Sequence, residues 1–271
     1  GQGQFESSPS FVKVNTIDKV KIITGHNKHY CALDEDGNVW CWGRDQRGSL
    51  GTPGDYIDQS SPVKVDINGE VKSVVTGIST CALLVSGETW CWGEQSSSYG
   101  EEGTNTIDRS PERVSDIDAD ELFALTQSLI FKNKVDSKYY GVGDNRQEQL
   151  NKNTGNEILL YEPIEIDNVT SGHTVFSSGN EHACSISESG VLTCWGSSRY
   201  QQISKKELGV WYTEVPEVTN AKHVGTGGHH TCSIDGNNEV WCWGSNAEGQ
   251  LGFAPSDELF GPRKVELWPT P

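Results

Sequence analysis

The sequence predicts an all-β fold made of a repeated unit of short antiparallel strands. The tetrapeptide Trp40-Cys41-Trp42-Gly43 returns in related forms whose closing glycines are Gly43, Gly93, Gly143, Gly196 and Gly244. The period is about fifty residues and runs through nearly the whole chain of 271 residues, which indicates one repeat array. The 30 glycines and nine tryptophans indicate many turns between short strands, with large aromatic residues in the core.

Five repeats follow a short start. Residues 1–8 are polar and are predicted to be a flexible lead-in, and residues 9–271 a single domain. Residues 9–14 resemble residues 62–65, so they provide an extra copy of a final strand, which either pairs with the last repeat or ends a preceding one. The repeats are expected at approximately residues 17–65, 71–114, 122–166, 173–218 and 221–267.

Within the first repeat, we expect strands at residues 20–23, 30–33 and 39–42. Side chains alternate along a strand, so Trp40 and Trp42 share one face while Cys41 points to the other. A longer polar segment follows each closing glycine and ends at a proline that is predicted to lead the fourth strand. These prolines are Pro62, Pro111, Pro163, Pro216 and Pro262.

All eight cysteines fall into pairs separated by ten residues: Cys31 and Cys41, Cys81 and Cys91, Cys184 and Cys194, and Cys232 and Cys242. Placing the members of a pair opposite each other leaves a three-residue hairpin loop. Its last residue is Gly37, Gly87, Gly190 or Asn238, the residue types that best adopt a positive φ. We therefore predict a disulfide across each of these four hairpins. Zinc is the alternative, although it favours closely spaced cysteine pairs.

The remaining repeat has no cysteine. Its sequence places Phe131 and Gly141 at the two cysteine positions, ten residues apart. We expect the aromatic ring to face the glycine and fill the space that the sulfur atoms occupy elsewhere.

The composition and motifs exclude several classes of function. A net charge of −17 disfavours nucleic acid as a partner, and no apolar run is long enough to insert into a membrane. Acidic clusters lack the spacing of a calcium loop, and no nucleophile or metal motif is present. His29, His182 and His230 recur at one repeat position, which indicates a structural role rather than metal binding. We therefore predict no catalytic residues, no metal, no cofactor and no enzymatic activity.

The repeats share an order of motifs: a His-x-Cys or Thr-Cys strand, a glycine hairpin, Val-Trp-Cys-Trp-Gly and then Gly-Gln-Leu-Gly. This order is clearest in residues 29–51 and 230–252. It resembles the regulator of chromosome condensation repeat family. The resemblance implies a β-propeller of four-stranded antiparallel blades. Five blades are favoured, and six or seven are the alternative for a longer parent chain. The family's best-known nuclear members are exchange factors for a small GTPase and bind chromatin. Secreted bacterial proteins, extracellular regions of plant receptor kinases and a bacterial β-lactamase inhibitor carry related repeats and act by binding.

The disulfides and the acidic surface indicate a secreted or cell-surface protein, periplasmic if bacterial. We predict an extracellular recognition module that holds a protein or glycan partner on variable loops of one propeller face. An enzyme inhibitor or a carbohydrate-specific lectin or adhesin is the alternative, and an exchange factor is the least expected. The oligomeric state stays open. Recurring tryptophans are expected to pack between blades, whereas candidate ligand-binding residues are the aromatics of the variable segments: Tyr56, Tyr99, Tyr200, Trp211, Tyr212, Phe253 and Phe260.

Overall fold

The computed structural model describes residues 13–14, 16–26, 28–45, 47–53, 57–94, 107–150, 159–166, 169, 172–204 and 212–266. The predicted lead-in at residues 1–8 and most of the extra strand copy lie outside them. The chain divides into two compact units, Gly1–Gly143 with Leu159–Pro163, and Asp144–Ile158 with Ile164–Pro271. We describe each unit by itself, and the single domain over residues 9–271 stays a prediction.

The described residues form strands and turns without a helix, which confirms the all-β class. The strands of the first repeat are β1 (Val20–His26), β2 (His29–Asp34), β3 (Val39–Gly43) and β4 (Gln59–Lys64). The second and third repeats contain β5 (Val71–Thr76), β6 (Ser79–Leu84), β7 (Glu88–Glu94), β8 (Ile107–Ala124), β9 (Ser128–Asn133), β10 (Tyr139–Asp144) and β11 (Leu159–Glu165). The fourth and fifth contain β12 (His173–Ser178), β13 (His182–Ser187), β14 (Leu192–Gly196), β15 (Tyr212–Glu214), β16 (His223–Thr226), β17 (His230–Ile234), β18 (Val240–Asn246) and β19 (Ser256–Lys264). No helix in this part of the chain is long and apolar enough to cross a membrane.

Each repeat forms four antiparallel strands in sequence order. The first, fourth and fifth repeats make separate four-stranded sheets, β1 to β4, β12 to β15 and β16 to β19. The second and third repeats share one seven-stranded sheet, because the 18-residue strand β8 pairs with β7 through its first part and with β9 through its second. Four-stranded antiparallel units of this kind are the blades of a propeller. The number of blades stays a prediction.

The four cysteine-containing hairpins have the predicted geometry. Each cysteine lies directly opposite its partner ten residues away, and all four pairs form disulfides. The last residue of each three-residue loop has a positive φ: 82° at Gly37, 101° at Gly87, 79° at Gly190 and 64° at Asn238. Glycine and asparagine adopt this conformation at little cost, so the loop residues fix the register that brings the cysteines together.

The predicted pairing of Phe131 with Gly141 in the third repeat is wrong. Phe131 pairs with Tyr140, on which its ring stacks at 5.8 Å between centroids, and Ile130 pairs with Gly141. The hairpin loop here has four residues, 134–137, because the Asn133 amide donates to the Lys138 carbonyl. The extra loop residue shifts the register by one, and a shift of one moves a side chain to the opposite face of a strand.

The prolines do not lead the fourth strands, contrary to the sequence prediction. Pro62, Pro163 and Pro262 lie inside β4, β11 and β19, and Pro111 lies inside β8. Pro216 follows the end of β15. Strands β4, β11 and β19 are at the edges of their sheets, where an amide directed away from the neighbouring strand is not required for pairing.

The core consists of layers between consecutive repeats. The disulfide Cys31–Cys41 packs in one cluster with Trp92 and Trp90 of the second repeat. In the other unit, Cys184 and Cys194 cluster in the same way with Trp241 and Trp243. The cysteine face of one repeat therefore contacts the tryptophan face of the next, as expected for aromatics that recur at one repeat position.

Candidate functional site

The loops after the third strands of the first, third and fifth repeats begin with the same hydrogen-bonded backbone frame. The side-chain oxygen of Asp45 accepts a hydrogen bond from the Leu50 amide at 3.1 Å. Asn145 and Leu150 repeat this bond at 2.9 Å, and Asn246 and Leu251 at 3.0 Å. The three leucines are fully buried. An amide or carboxylate five residues before a buried leucine therefore fixes the start of each of these loops, and the variable residues follow it.

The loops after the third strands of the first, third and fourth repeats are each tied to the next repeat by a tryptophan. The Trp92 indole donates a hydrogen bond to the backbone carbonyl of Ser49 at 3.0 Å. In the same way, Trp195 donates to the backbone carbonyl of Gln149 at 3.1 Å, and Trp243 to that of Gln202 at 2.9 Å. These indoles are completely buried. Each loop is thus held against the third strand of the following repeat.

A threonine and a histidine extend this contact. The Thr80 hydroxyl donates to the Ser49 carbonyl at 3.0 Å, and Thr231 donates to Gln202 at 2.8 Å. Each hydroxyl also contacts an imidazole Nε2 of the preceding repeat, His29 at 3.1 Å and His182 at 2.8 Å. A hydroxyl has one hydrogen, which the carbonyl receives, so the imidazole must donate its Nε2 hydrogen to the threonine oxygen.

Both imidazoles are neutral at pH 7. Burial, reinforced by His26, lowers the pKa of His29 from 6.5 to about 4. Burial, reinforced by His230 and His229, lowers the pKa of His182 to about 3. Desolvation disfavours the charged form of an imidazole, which agrees with the structural role expected of this repeat position.

Phe253, in the loop after β18, and Phe260, on β19, form a cluster with an arginine of β19. The rings of Phe253 and Phe260 meet edge to face, with centroids 5.0 Å apart. The Arg263 guanidinium carbon lies 5.0 Å from the Phe253 centroid and 5.8 Å from that of Phe260. Both rings are partly exposed, so this cluster presents apolar surface beside a positive charge.

A similar group forms in the preceding loop. The Tyr200 ring lies 4.3 Å from the His229 ring, and the Arg199 guanidinium carbon is 5.7 Å from the Tyr200 centroid. A Cβ atom at Gly261, next to Phe260, would lie 4.0 Å from the Ser204 carbonyl oxygen of this loop. Strand β19, which carries Phe260, therefore lies beside the loop that carries Tyr200.

The first unit contains a cavity of about 280 Å³ with cationic walls. Among the residues that the structure describes, its lining includes no acidic side chain and consists of His26, Lys28, His29, Arg44, Arg47, Ser49, Gly77 and Ile78. Arg47 forms an ion pair with Glu94. Among the described residues, no group of three metal-ligating side chains is positioned to hold a metal ion.

Comparison with known proteins relates this architecture to one repeat family. A model described as the regulator of chromosome condensation (RCC1) repeat matches residues 36–84 and 237–270. A second model of the same description matches residues 221–250. A search of curated proteins found no significant match.

Solved structures agree with the repeat matches. Human WBSCR16 has a TM-score of 0.74 at 18% identity, with 92% of this chain and 67% of that chain covered. Yeast RCC1 (Prp20) bound to Kap60 has a TM-score of 0.59 at 17% identity, with 92% of this chain and 75% of that chain covered. Prp20p from Saccharomyces cerevisiae has the same TM-score and identity, with 92% of this chain and 77% of that chain covered. The chain is an RCC1-type repeat propeller.

The structure of this RCC1-type propeller brings together only some of the predicted binding residues. Phe253 and Phe260 touch, Tyr200 lies in the neighbouring loop, and Tyr212 is 43% exposed on β15. Tyr56, Tyr99 and Trp211 lie outside the described residues. The binding role of all seven aromatics stays a prediction.

Sequence reasoning missed the cationic cavity and the arginines beside the aromatics. Residue 28 precedes β2 and residue 44 follows β3, and the pairing of His29 with Gly43 brings these two positions together. The hairpin register was predictable from the cysteines, so the adjacency of Lys28 and Arg44 could have been found. The contacts of Arg199 and Arg263 had no such sequence signal.

Proposed function

We propose that this RCC1-type propeller is an extracellular recognition module that binds a protein partner through the loops after its third strands. The observation that carries the proposal is the cluster of Phe253, Phe260 and Arg263, with Tyr200 and Arg199 in the neighbouring loop. Aromatic residues and arginine are enriched at protein interfaces and dominate their binding energy. A rigid loop frame supports this role, because less conformational freedom is lost when a partner binds.

The disulfides support the extracellular part of the proposal. All eight cysteines are paired, and disulfides persist in secreted and surface proteins but are rare in the reducing cytosol and nucleus. The acidic net charge of −17 also suits a soluble surface that does not attract nucleic acid.

A glycan partner is the second candidate. Sugar recognition combines an exposed aromatic face with carboxylate or amide groups that bond to hydroxyls. Tyr200, Phe253 and Phe260 lie beside the guanidinium groups of Arg199 and Arg263. This arrangement favours a protein over a neutral sugar, and inhibition of an enzyme would be one form of such binding.

Exchange-factor activity is the third candidate. The solved yeast Prp20p is described by its binding to Gsp1p and histones. At 17% identity, the similarity supports the fold and not a shared partner. Four disulfides would not persist where such an exchange factor works, so we place this function last.

The test is affinity capture from the native surroundings, quantified by mass spectrometry, with a glycan array in parallel. The wild type is compared with the variant Phe253→Ala/Phe260→Ala. We expect one protein to be captured by the wild type and its recovery to fall about tenfold or more in the double variant, because truncated interface aromatics cost most of the binding energy.

Val135→Ala is the matched control, because Val135 is apolar, 90% exposed and remote from these loops in the sequence. It should capture the partner as the wild type does. Thermal melting verifies that both variants are folded. Equal recovery by the double variant would contradict the proposal, and glycan binding lost in that variant would support the lectin function instead.

A further inference from the structure

We infer that the cationic cavity is a binding site for a tetrahedral oxyanion, a phosphate or sulfate group free or carried by a small ligand. Lys28, Arg44 and Arg47 line it together with His26 and His29. The inference does not depend on the proposed function, since none of these residues belongs to the cluster of Phe253, Phe260 and Arg263 that carries it.

Two of the cations have no ion-pair partner within the described part of the chain. Among the described residues, neither the Lys28 ammonium nor the Arg44 guanidinium takes part in an ion pair, whereas Arg47 pairs with Glu94. The Arg44 amide donates to the Lys28 carbonyl at 2.8 Å, so these two residues are fixed side by side. Adjacent like charges repel, and concave walls of one sign concentrate the electric field. A bound dianion would relieve this repulsion.

The charge pair is peculiar to the first repeat. The same backbone bond joins Glu181 to Ser197 in the fourth repeat and His229 to Ser245 in the fifth. In the second and third repeats, the corresponding positions are Ile78 with Glu94 and Gln127 with Asp144. Packing within a repeat therefore does not require two cations here. In a chain with 38 acidic and 21 basic residues, their concentration in a cavity needs a separate explanation, which a bound anion provides.

The size and the donors of the cavity fit a small charged group. A volume of about 280 Å³ is just below the range of about 300–1,000 Å³ usual for small-molecule sites, so the cavity suits a ligand no larger than a small anion or its ester. Guanidinium groups bind phosphate and related oxyanions through paired hydrogen bonds, and an ammonium adds a point charge. His29 donates its Nε2 hydrogen to Thr80 and forms a fixed, neutral part of the wall.

The test is isothermal titration calorimetry of the intact, disulfide-bonded protein with inorganic phosphate and inorganic sulfate at constant ionic strength. Glucose 6-phosphate and glucose 6-sulfate distinguish an ester from the free ion, and glucose is the neutral control. We expect saturable binding of at least one oxyanion with one site per chain. In Lys28→Gln/Arg44→Gln, the affinity should fall about tenfold or more for each cation removed, because hydrogen bonds to charged groups are strong.

Lys64→Gln/Arg113→Gln removes the same two charges from exposed positions and should bind as the wild type does. The exchange Lys28→Arg/Arg44→Lys keeps the charges and should retain binding. No saturable binding by any of the four anions, or equal loss in the exposed control, would overturn the inference.

If the cavity variant does not fold, phosphate should protect Lys28 of the wild type from acetylation, measured by mass spectrometry. Unprotected Lys28 would overturn it as well.

Discussion

Thr80 links the second repeat to the first through its side chain. Its hydroxyl donates to the Ser49 carbonyl and accepts the Nε2 hydrogen of His29. In Thr80→Val, the hydroxyl is lost without a large change of shape, and the buried Nε2 hydrogen of His29 loses its acceptor. We expect the free energy of unfolding to fall by about 1–3 kcal/mol, the cost of an unsatisfied buried polar group. Urea denaturation at pH 7 measures it.

Thr89→Val is the control for this prediction. Thr89 is also completely buried, but its hydroxyl has no hydrogen-bond partner among the described residues. The same substitution there should leave the stability within about 0.5 kcal/mol or increase it. Equal destabilisation by the two variants would show that the hydrogen bonds of Thr80 are not responsible.

The buried histidines predict sensitivity to acid. Below the unfolded pKa of 6.5, the unfolded chain binds a proton on His182, whereas the folded protein resists it down to a pKa of about 3. The free energy of unfolding is therefore unaffected by this histidine above about pH 6.5. Between the unfolded and the folded pKa it falls as the pH decreases, by about 1.4 kcal/mol per pH unit for each such histidine.

In His182→Gln, which does not titrate, the unfolding free energy should change less between about pH 7 and about pH 5 than in the wild type. Urea denaturation at the two pH values tests this. Val135→Ala, at an exposed residue that does not titrate, should keep the wild-type pH dependence. An unchanged dependence in His182→Gln would contradict the assignment.

At the scale of the hairpin, the third repeat permits a direct test of the register. Ile130 lies opposite Gly141, as Cys31 lies opposite Cys41. In Ile130→Cys/Gly141→Cys, we expect a fifth disulfide to form, because cross-strand neighbours meet its distance requirement. Non-reducing mass spectrometry after alkylation measures it.

Phe131→Cys/Gly141→Cys is the matched variant with the ten-residue spacing of the natural pairs. It should keep two free thiols, since Phe131 is opposite Tyr140. A disulfide in this variant and none in the first would contradict the observed register.

These hairpins show which parts of the fold could be predicted from the sequence. Cysteine spacing and loop glycines constrain the register in four repeats. In the third repeat, no cysteine marks the pairing. The residue with a positive φ, of 60°, is Ser137, and a serine does not predict this conformation as glycine or asparagine does. The prolines were misplaced because proline is tolerated at several positions of an edge strand, so its presence does not define where the strand begins.

At the scale of the molecule, the fold and its repeat family followed from the recurrence of short motifs. The site was harder to predict, because it depends on contacts between residues that no motif connects. Phe253 and Phe260 were chosen as candidates because they lie in a variable segment of the sequence, and their binding role stays a prediction, whereas the cavity joins residues 28, 44 and 47 from two sides of a hairpin.

The compartment is tested on the whole protein. We expect all eight cysteines of freshly isolated native protein to resist iodoacetamide and to react only after reduction, because each is paired in a disulfide. Mass spectrometry counts the modified thiols. Eight reactive thiols in the native protein would contradict an extracellular location.

The shared strand β8 has a consequence for cooperativity. A repeat protein is often treated as a row of units, each with its own stability and a coupling to its neighbours. The second and third repeats do not fit two separate units, because opening either one disturbs a strand whose hydrogen bonds belong to both. In hydrogen exchange, they should therefore open together as one block about twice the size of a single repeat.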